Sequence, residues 1–216
     1  MIKAENICKI YNTLQVLQNV SLEVQKSEFL CITGSSGAGK STLLHILATL
    51  DEATSGTVYL DQLNTSKLKG AQLAKFRNQT LGMVFQAHNL LPEFTALENI
   101  CMPALLGGKS KAEAEKKALE LMQTLGVKSR ANHKPSEMSG GEQQRVAVGR
   151  ALINSPKIVF ADEPSGNLDE QNAHELHQLF FMLREQLGHT FVIVTHNLQL
   201  AKQADRVFEI RKQTQN

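Results

Sequence analysis

Nine residues, "GSSGAGKST" from Gly34 to Thr42, constrain this chain more than any other stretch. They satisfy G-x-x-x-x-G-K-[ST], with Gly34, Gly39, Lys40 and Ser41 at the fixed positions. Glycines at those places let backbone amides curl around phosphate oxygens, where a Cβ would obstruct the approach. Apolar "FLCIT" runs straight into the pattern and a helical pattern follows it. The stretch is therefore predicted to be a strand, a phosphate-binding loop and a helix start. Gly34, Ser35, Ser36, Gly37, Ala38, Gly39, Lys40, Ser41 and Thr42 are the expected nucleotide contacts. Lys40 is expected to reach the β- and γ-phosphates, and the Ser41 hydroxyl to bind Mg²⁺.

Such a unit implies an α/β fold, and the rest of the chain agrees. "FLCIT", "IVFAD" and "TFVIVTH" are compact and apolar, as strands covered on both faces of a parallel sheet must be. "VSLEV" alternates like a strand with one wet face. Between them, from about Ala87 to Ser155, the character changes. "KSKAEAEKKALELMQTLG" reads as an exposed helix ended by Gly126, and a polar connection leads to "SEMSGGEQQRVAVGRAL". The expectation is one domain over 1–216: an α/β core, about 1–86 and 156–216, with a helical lobe inserted over about 87–155. The Gln-rich tail after Ile210 is expected to fray.

Composition narrows the classes. With 42% hydrophobic residues in 216, the chain can bury a real core. Its 23 basic and 21 acidic residues give a net charge of +2, no basis for a nucleic-acid partner. Cys8, Cys31 and Cys101 have neither zinc nor disulfide spacing, which suits buried thiols in a reducing compartment. No stretch has the form of a signal peptide or of an 18-residue apolar span, so the expected place is the cytosolic side.

Three strand ends carry chemistry. "KIVFADEP" puts Asp162 and Glu163 at the end of an apolar strand. Asp162 suits an aspartate standing behind the ligands of Mg²⁺, and Glu163 a base or water-positioning carboxylate. Taken alone, such a pair is more often a solvated turn. Gln86 ends strand-like "LGMVFQ", where its amide oxygen could reach Mg²⁺ or the attacking water. His196 ends "TFVIVTH" and could donate to a γ-phosphate oxygen. Tyr11, one of two tyrosines, could stack on a purine or be a half-buried core aromatic. His174 and His177 share a helix face, but two ligands without a third make a weak metal site.

Ser139, Gly140 and Gly141 open a second anion-binding helix start about a hundred residues after the first. The phosphate loop, "FQ", "MSGGEQQR", "FADEPSGNLD" and "VTHN", in that order over Met1 to about Ile210, resemble the ATP-binding subunits of ABC transporters. The resemblance implies a P-loop NTPase fold: a RecA-like parallel core sheet, an antiparallel β part and an inserted α-helical lobe. It implies a homodimer in which each ATP sits between the phosphate loop of one copy and the SGG motif of the other. The two phosphate-facing elements then serve different ATP molecules.

Carried over by position, Tyr11 corresponds to the adenine-stacking aromatic and Gln86 to the glutamine that senses Mg²⁺ and the transport partner. Glu163 corresponds to the catalytic carboxylate, His196 to the switch histidine and Asp169 to the aspartate coupling the two sites. Ser139, Gly140, Gly141, Glu142 and Asp169 would touch the partner's ATP. The implied partners are a second ATPase subunit and two integral membrane subunits.

Two departures stand out. "MSGGE" replaces LSGGQ, so Glu142 brings a carboxylate toward the nucleotide that could disfavour phosphate. Gly149, where alanine is common, should weaken its helix by roughly 1 kcal/mol. More narrowly, "HNLLPEFTALENICMPALL" resembles the matching segment of lipoprotein-releasing ATPases, relatives of the macrolide-exporter and cell-division ATPases. Its apolar residues around Pro92 and Phe94 form a surface suited to a short partner helix. The rival implied function is one of those sibling transporters; a soluble ABC ATPase would usually carry two ATPase halves, coiled coils or basic surfaces.

Overall fold

The strand predicted ahead of the phosphate loop forms as β3 (Phe29–Thr33), with its first four residues buried. It lies in a five-stranded parallel sheet with β6 (Leu81–Phe85), β7 (Ile158–Asp162), β8 (Thr190–Val194) and β9 (Arg206–Glu209), in the order β6-β7-β8-β3-β9. This computed structural model describes residues 1–212. The expected fraying of the tail concerns mainly 213–216, which lie outside the described residues.

The remaining strands make a four-stranded antiparallel sheet: β1 (Ile2–Tyr11), β2 (Leu14–Val24), β4 (Ser55–Leu60) and β5 (Leu63–Asn64), ordered β2-β1-β4-β5. "VSLEV" is the second half of β2, which starts six residues earlier than its alternation suggests. Between the sheets runs α1 (Lys40–Leu47), with Leu43, Leu44, Ile46 and Leu47 buried. Its cluster takes Ile7, Leu17 and Val24 from the antiparallel sheet and Leu30, Ile32, Phe160 and Val192 from the parallel one.

A second apolar cluster covers the other face of the parallel sheet. It joins Phe29, Val159, Ala161 and Phe191 to α6 (Glu170–Leu187) and to α3 (Ala96–Leu106), α4 (Lys111–Thr124) and α5 (Gly140–Leu152). Phe29 stacks on Phe181 at 4.5 Å between centroids and on Phe191 at 5.5 Å, favoured geometries for ring pairs. The short helices α2 (Gly70–Thr80) and α7 (Leu198–Gln203) complete the chain.

The helix expected to be exposed needs correction. α4 buries Ala114, Ala118 and Met122 along one face; small residues let the helix approach closely, and small side chains conceal an apolar stripe from hydropathy. Its start is a reciprocal capping box, Ser110 with Glu113, and Gly126 takes the positive φ of 71° expected beyond its end. Gly149 also reads differently in three dimensions. A Cβ there would stand 2.8 Å from Ile100 Cδ1 and 3.0 Å from Leu125 Cδ1, so the glycine lets α5 pack against α3. Cys31 and Cys101 are buried, and burial pushes their thiols up to about 12 and about 11; Cys8 is only half-buried.

Candidate active site

Strand register assembles the site. Phe85 pairs with Asp162 and Asp162 with Val194, while Ile32 pairs with Val194 from the other side. The next residues, Gln86, Glu163 and Thr195, therefore leave the sheet at one level, beside Thr33 at the end of β3. That level is the carboxyl edge, where parallel α/β sheets bind ligands.

The phosphate loop leaves β3 there and turns into α1. Gly34 has φ 148°, and a Cβ on it would lie 2.3 Å from the Ile210 carbonyl oxygen. Gly39 caps α1 with φ 92°, and its Cβ would lie 2.8 Å from Leu17 Cδ2. Both positions exclude side chains, for conformation and for space. Lys40 folds back so that Nζ donates to the carbonyls of Gly34 and Ser35, each at 3.1 Å. Its charge thus stays within the turn.

Ser41 Oγ donates to Asp162 Oδ1 at 2.9 Å, across two elements. A hydroxyl and a carboxylate side by side are hard oxygen groups, the donor type Mg²⁺ prefers. One turn along α1, His45 Nε2 stands 3.3 Å from Asp162 Oδ2, without a well-formed hydrogen bond. Sequence reading missed His45, though a signal exists: four residues after Ser41, it shares that helix face.

Glu163 follows Asp162 with φ 45°, and its amide bonds to the Val194 carbonyl at 2.9 Å. Its Oε2 lies 2.8 Å from His196 Nδ1 and accepts from the His196 amide at 3.3 Å. Gln86 Nε2 donates to Asn167 Oδ1 at 3.0 Å, and Asn167 returns a bond to the Gln86 carbonyl at 3.1 Å. Asn167 is another residue the sequence did not single out. Tyr11 is 44% exposed, which excludes the half-buried core alternative, and its hydroxyl donates to Asp51 at 2.5 Å.

The other glycine motif forms a separate group. Ser139 caps α5 and Glu142 closes the capping box. Gly140 faces Leu168, and a Cβ on Gly141 would meet Asn172 Oδ1 at 2.5 Å. Asn172 cannot easily yield, because its amide nitrogens donate to Asp169 at 2.8 and 2.7 Å. Among the described residues no hydrogen bond joins Ser139–Glu142 to residues 34–42.

Glu142 does not present a bare charge. One oxygen accepts from the Ser139 amide at 2.8 Å and the other from Arg130 Nε at 2.6 Å. Arg130 is the largest cause holding this carboxyl below its ordinary range. The charge of Glu142 is therefore balanced within the chain. Arg130 lies in a short polar turn twelve residues away, with no pattern to mark it. The two helix histidines have separate hydrogen-bond partners: His177 Nε2 lies 2.9 Å from Ser165 Oγ, and His174 meets Gln178.

Phosphate-binding amides at the end of β3 and carboxylates at the end of β7, one strand removed on the same edge, are the parts of a P-loop nucleoside triphosphatase, the class this fold and edge define. The chain belongs to the ABC transporter family, as one of its ATPases; that family matches residues 17–166. It is 56% identical to the lipoprotein-releasing system ATP-binding protein LolD of Bacteroides thetaiotaomicron, over 95% of this chain and 94% of that one. To LolD of Porphyromonas gingivalis it is 51% identical, over 98% and 96%. The dimeric structure of MJ0796, a bacterial ABC transporter cassette, superimposes with a TM-score of 0.91 at 41% identity, over 98% of this chain and 95% of the other. A post-hydrolysis dimer of the same cassette bound to ADP and Pi matches at 0.91 and 39%, over 100% and 98%.

Proposed function

We propose that this chain is the ATP-hydrolysing subunit of a transporter that releases lipoproteins from the bacterial inner membrane. It works as a homodimer on the cytoplasmic face, held by two integral membrane subunits. The observation that carries the reading is the carboxyl edge itself, where Ser41 meets Asp162 at 2.9 Å and Glu163 meets His196 at 2.8 Å beside the phosphate loop. Support for the cargo comes from the LolD relatives. No helix among the described residues is long and apolar enough to cross a membrane.

In this reading residues 34–42 cradle the phosphates through their amides, and Lys40 turns its ammonium from loop carbonyls to phosphate oxygens. Tyr11 stacks on the adenine. Ser41 and Gln86 hold Mg²⁺ with Asp162 behind them; the ion, when bound, neutralises developing charge on the transferred phosphoryl group. Glu163 orients the attacking water and accepts its proton. His196 keeps that carboxylate in place and reaches the γ-phosphate. Catalysis is then positioning and charge stabilisation.

Ser139, Gly140, Gly141 and Glu142, with Asp169, meet the ATP of the opposite subunit. The helix start lends amides and dipole to its γ-phosphate. Loss of that phosphate removes what both halves grip, so the dimer opens. We read about 87–155 as the lobe, carrying Ser139, inserted into an α/β core of about 1–86 and 156–216.

The partner surface of the lobe lies around Pro92 and Phe94. Leu91 is 40% and Phe94 37% exposed, while buried Asn99 pins the segment by bonds to Leu91, Phe94 and Thr95. A rigid apolar surface of this kind suits a short helix from a membrane subunit.

The test is purification from native membranes in mild detergent, with identification of what accompanies the chain. Two membrane proteins with bound lipoprotein are expected. A membrane partner of the macrolide-exporter or cell-division type would keep the ATPase and overturn the cargo, and soluble partners alone would overturn the transporter reading.

A further inference from the structure

Lys9, Tyr11 and Asp51 form a closed group, of which the reading above uses Tyr11 alone. Lys9 is only 8% exposed, a rare state for a lysine unless it is paired. Its ammonium donates to Asp51 Oδ1 at 2.7 Å and to the Glu52 carbonyl at 2.6 Å. It also stands 4.7 Å from the centroid of the Tyr11 ring. Asp51 divides its two oxygens, Oδ1 to Lys9 and Oδ2 to the Tyr11 hydroxyl.

An aromatic side chain as exposed as Tyr11 would ordinarily sample several rotamers. Here the hydroxyl is bonded and a cation covers one ring face, while the side chain as a whole stays 44% exposed and open to a flat ligand. Asp51 is itself anchored to the phosphate-loop helix, because its amide and that of Leu50 donate to the His45 carbonyl. The strand carrying Lys9 and Tyr11 is tied to the same loop: Ile10 donates to Thr54 Oγ1 and Thr54 to the Cys8 carbonyl. One frame thus joins the aromatic ring to the helix that starts at Lys40.

We infer that Lys9 and Asp51 are positioning residues for nucleobase recognition, holding Tyr11 as a preformed platform at a set distance from the phosphate loop. This rests on the reading of Tyr11 as the base-stacking residue. A platform ordered in advance spares the ligand the entropy of ordering it. The effect falls on affinity for nucleotides that carry a base, and not on phosphate binding or the hydrolytic step.

The test uses the full chain with Asp51→Asn, Tyr11→Phe and Tyr11→Ala, reading KM and kcat for ATP and the inhibition constant of inorganic tripolyphosphate. Tyr11→Ala is expected to raise KM for ATP by about tenfold or more, the scale of one lost base stack. Asp51→Asn and Tyr11→Phe should each raise it about three- to tenfold, since they loosen the platform without removing it, and Asp51→Asn should leave kcat within about twofold and tripolyphosphate inhibition unchanged. Asp51→Asn on top of Tyr11→Ala should add nothing. Unchanged KM in Tyr11→Ala would overturn the stacking reading itself. A raised KM there, with wild-type KM in Tyr11→Phe and Asp51→Asn, would overturn only the positioning role. Equal losses of ATP and tripolyphosphate binding would place Asp51 in support of the phosphate loop and also overturn it. Should Asp51→Asn fail to fold, Tyr11→Phe decides alone, because it leaves the Lys9–Asp51 pair intact.

Discussion

Glu163 Oε2 lies 2.8 Å from His196 Nδ1, thirty-three residues along the chain. The contact ties the loop after β7 to the loop after β8. It holds a carboxylate at the edge where a terminal phosphate would sit. If that carboxylate prepares the water, Glu163→Gln keeps the shape and loses the base. Phosphate release should fall by about 10²–10⁴-fold. ATP binding should persist, with an ATP-dependent dimer visible by size-exclusion chromatography; turnover near wild type would remove Glu163 from the mechanism.

If residues 34–42 cradle the phosphates, Lys40 should act on binding and not on the hydrolytic step alone. Its ammonium already sits among loop carbonyls at 3.1 Å. Lys40→Ala should weaken ATP by about 10- to 100-fold, the value of one or two charge-assisted hydrogen bonds. Isothermal titration reads this directly, and an unchanged dissociation constant would refute the assignment.

Arg130 balances Glu142 at the start of α5. Arg130→Ala should leave an uncompensated negative charge where the partner's γ-phosphate is expected. ATP-driven dimerisation should weaken by about tenfold, on the scale of one lost charge pair. Adding Glu142→Gln should restore most of it, because the offending charge is then gone. Failure of the double variant to recover would show that Arg130 serves some other contact.

His177 makes stability depend on pH. Burial lowers its pKa from the usual 6.5 to about 4, so the folded protein holds it neutral while the unfolded chain takes up a proton below about 6.5. Stability should therefore fall as pH drops from about 6.5 towards 4, by on the order of 2–3 kcal/mol from this residue. His177→Gln, which keeps a polar partner for Ser165, should flatten that part of the urea-midpoint profile. An unchanged profile would assign the acid sensitivity elsewhere.

Gly149 tests packing against propensity. By propensity alone Gly149→Ala should gain about 1 kcal/mol. The new Cβ would stand 2.8 Å from Ile100 Cδ1, so the gain in urea denaturation should fall short of that figure. Gly149→Val, which adds two more methyl groups at the same crossing, should destabilise by about 1–3 kcal/mol. A full gain from alanine would mean that Ile100 and Leu125 move aside freely.

The phosphate loop, the strands that lead to it and the acidic strand end could all be read from the sequence. Each is a local pattern: a few residues of fixed type at fixed spacing, beside a run whose hydrophobicity marks a buried strand. Gly34 and Gly39 are legible because their backbone angles and their neighbours forbid a side chain. The start of β2 and the buried face of α4 were not. Exposed polar positions and alanines carry little hydropathy signal, even where tertiary contacts extend a ladder or cover a face.

What the sequence alone determined, then, is the parallel α/β class, the phosphate loop and the residue types gathered at the strand ends. Only the tertiary structure decided that Arg130 neutralises Glu142, that His45 stands beside Asp162, that Lys9 and Asp51 hold Tyr11, and that Gly149 is a crossing point. The physical reason is range. The phosphate-loop pattern is written in residue types and spacing within nine consecutive residues, so it can be read locally. Charge pairing and close packing depend on distances between segments far apart in the chain, which exist only once the sheet register and helix contacts have formed.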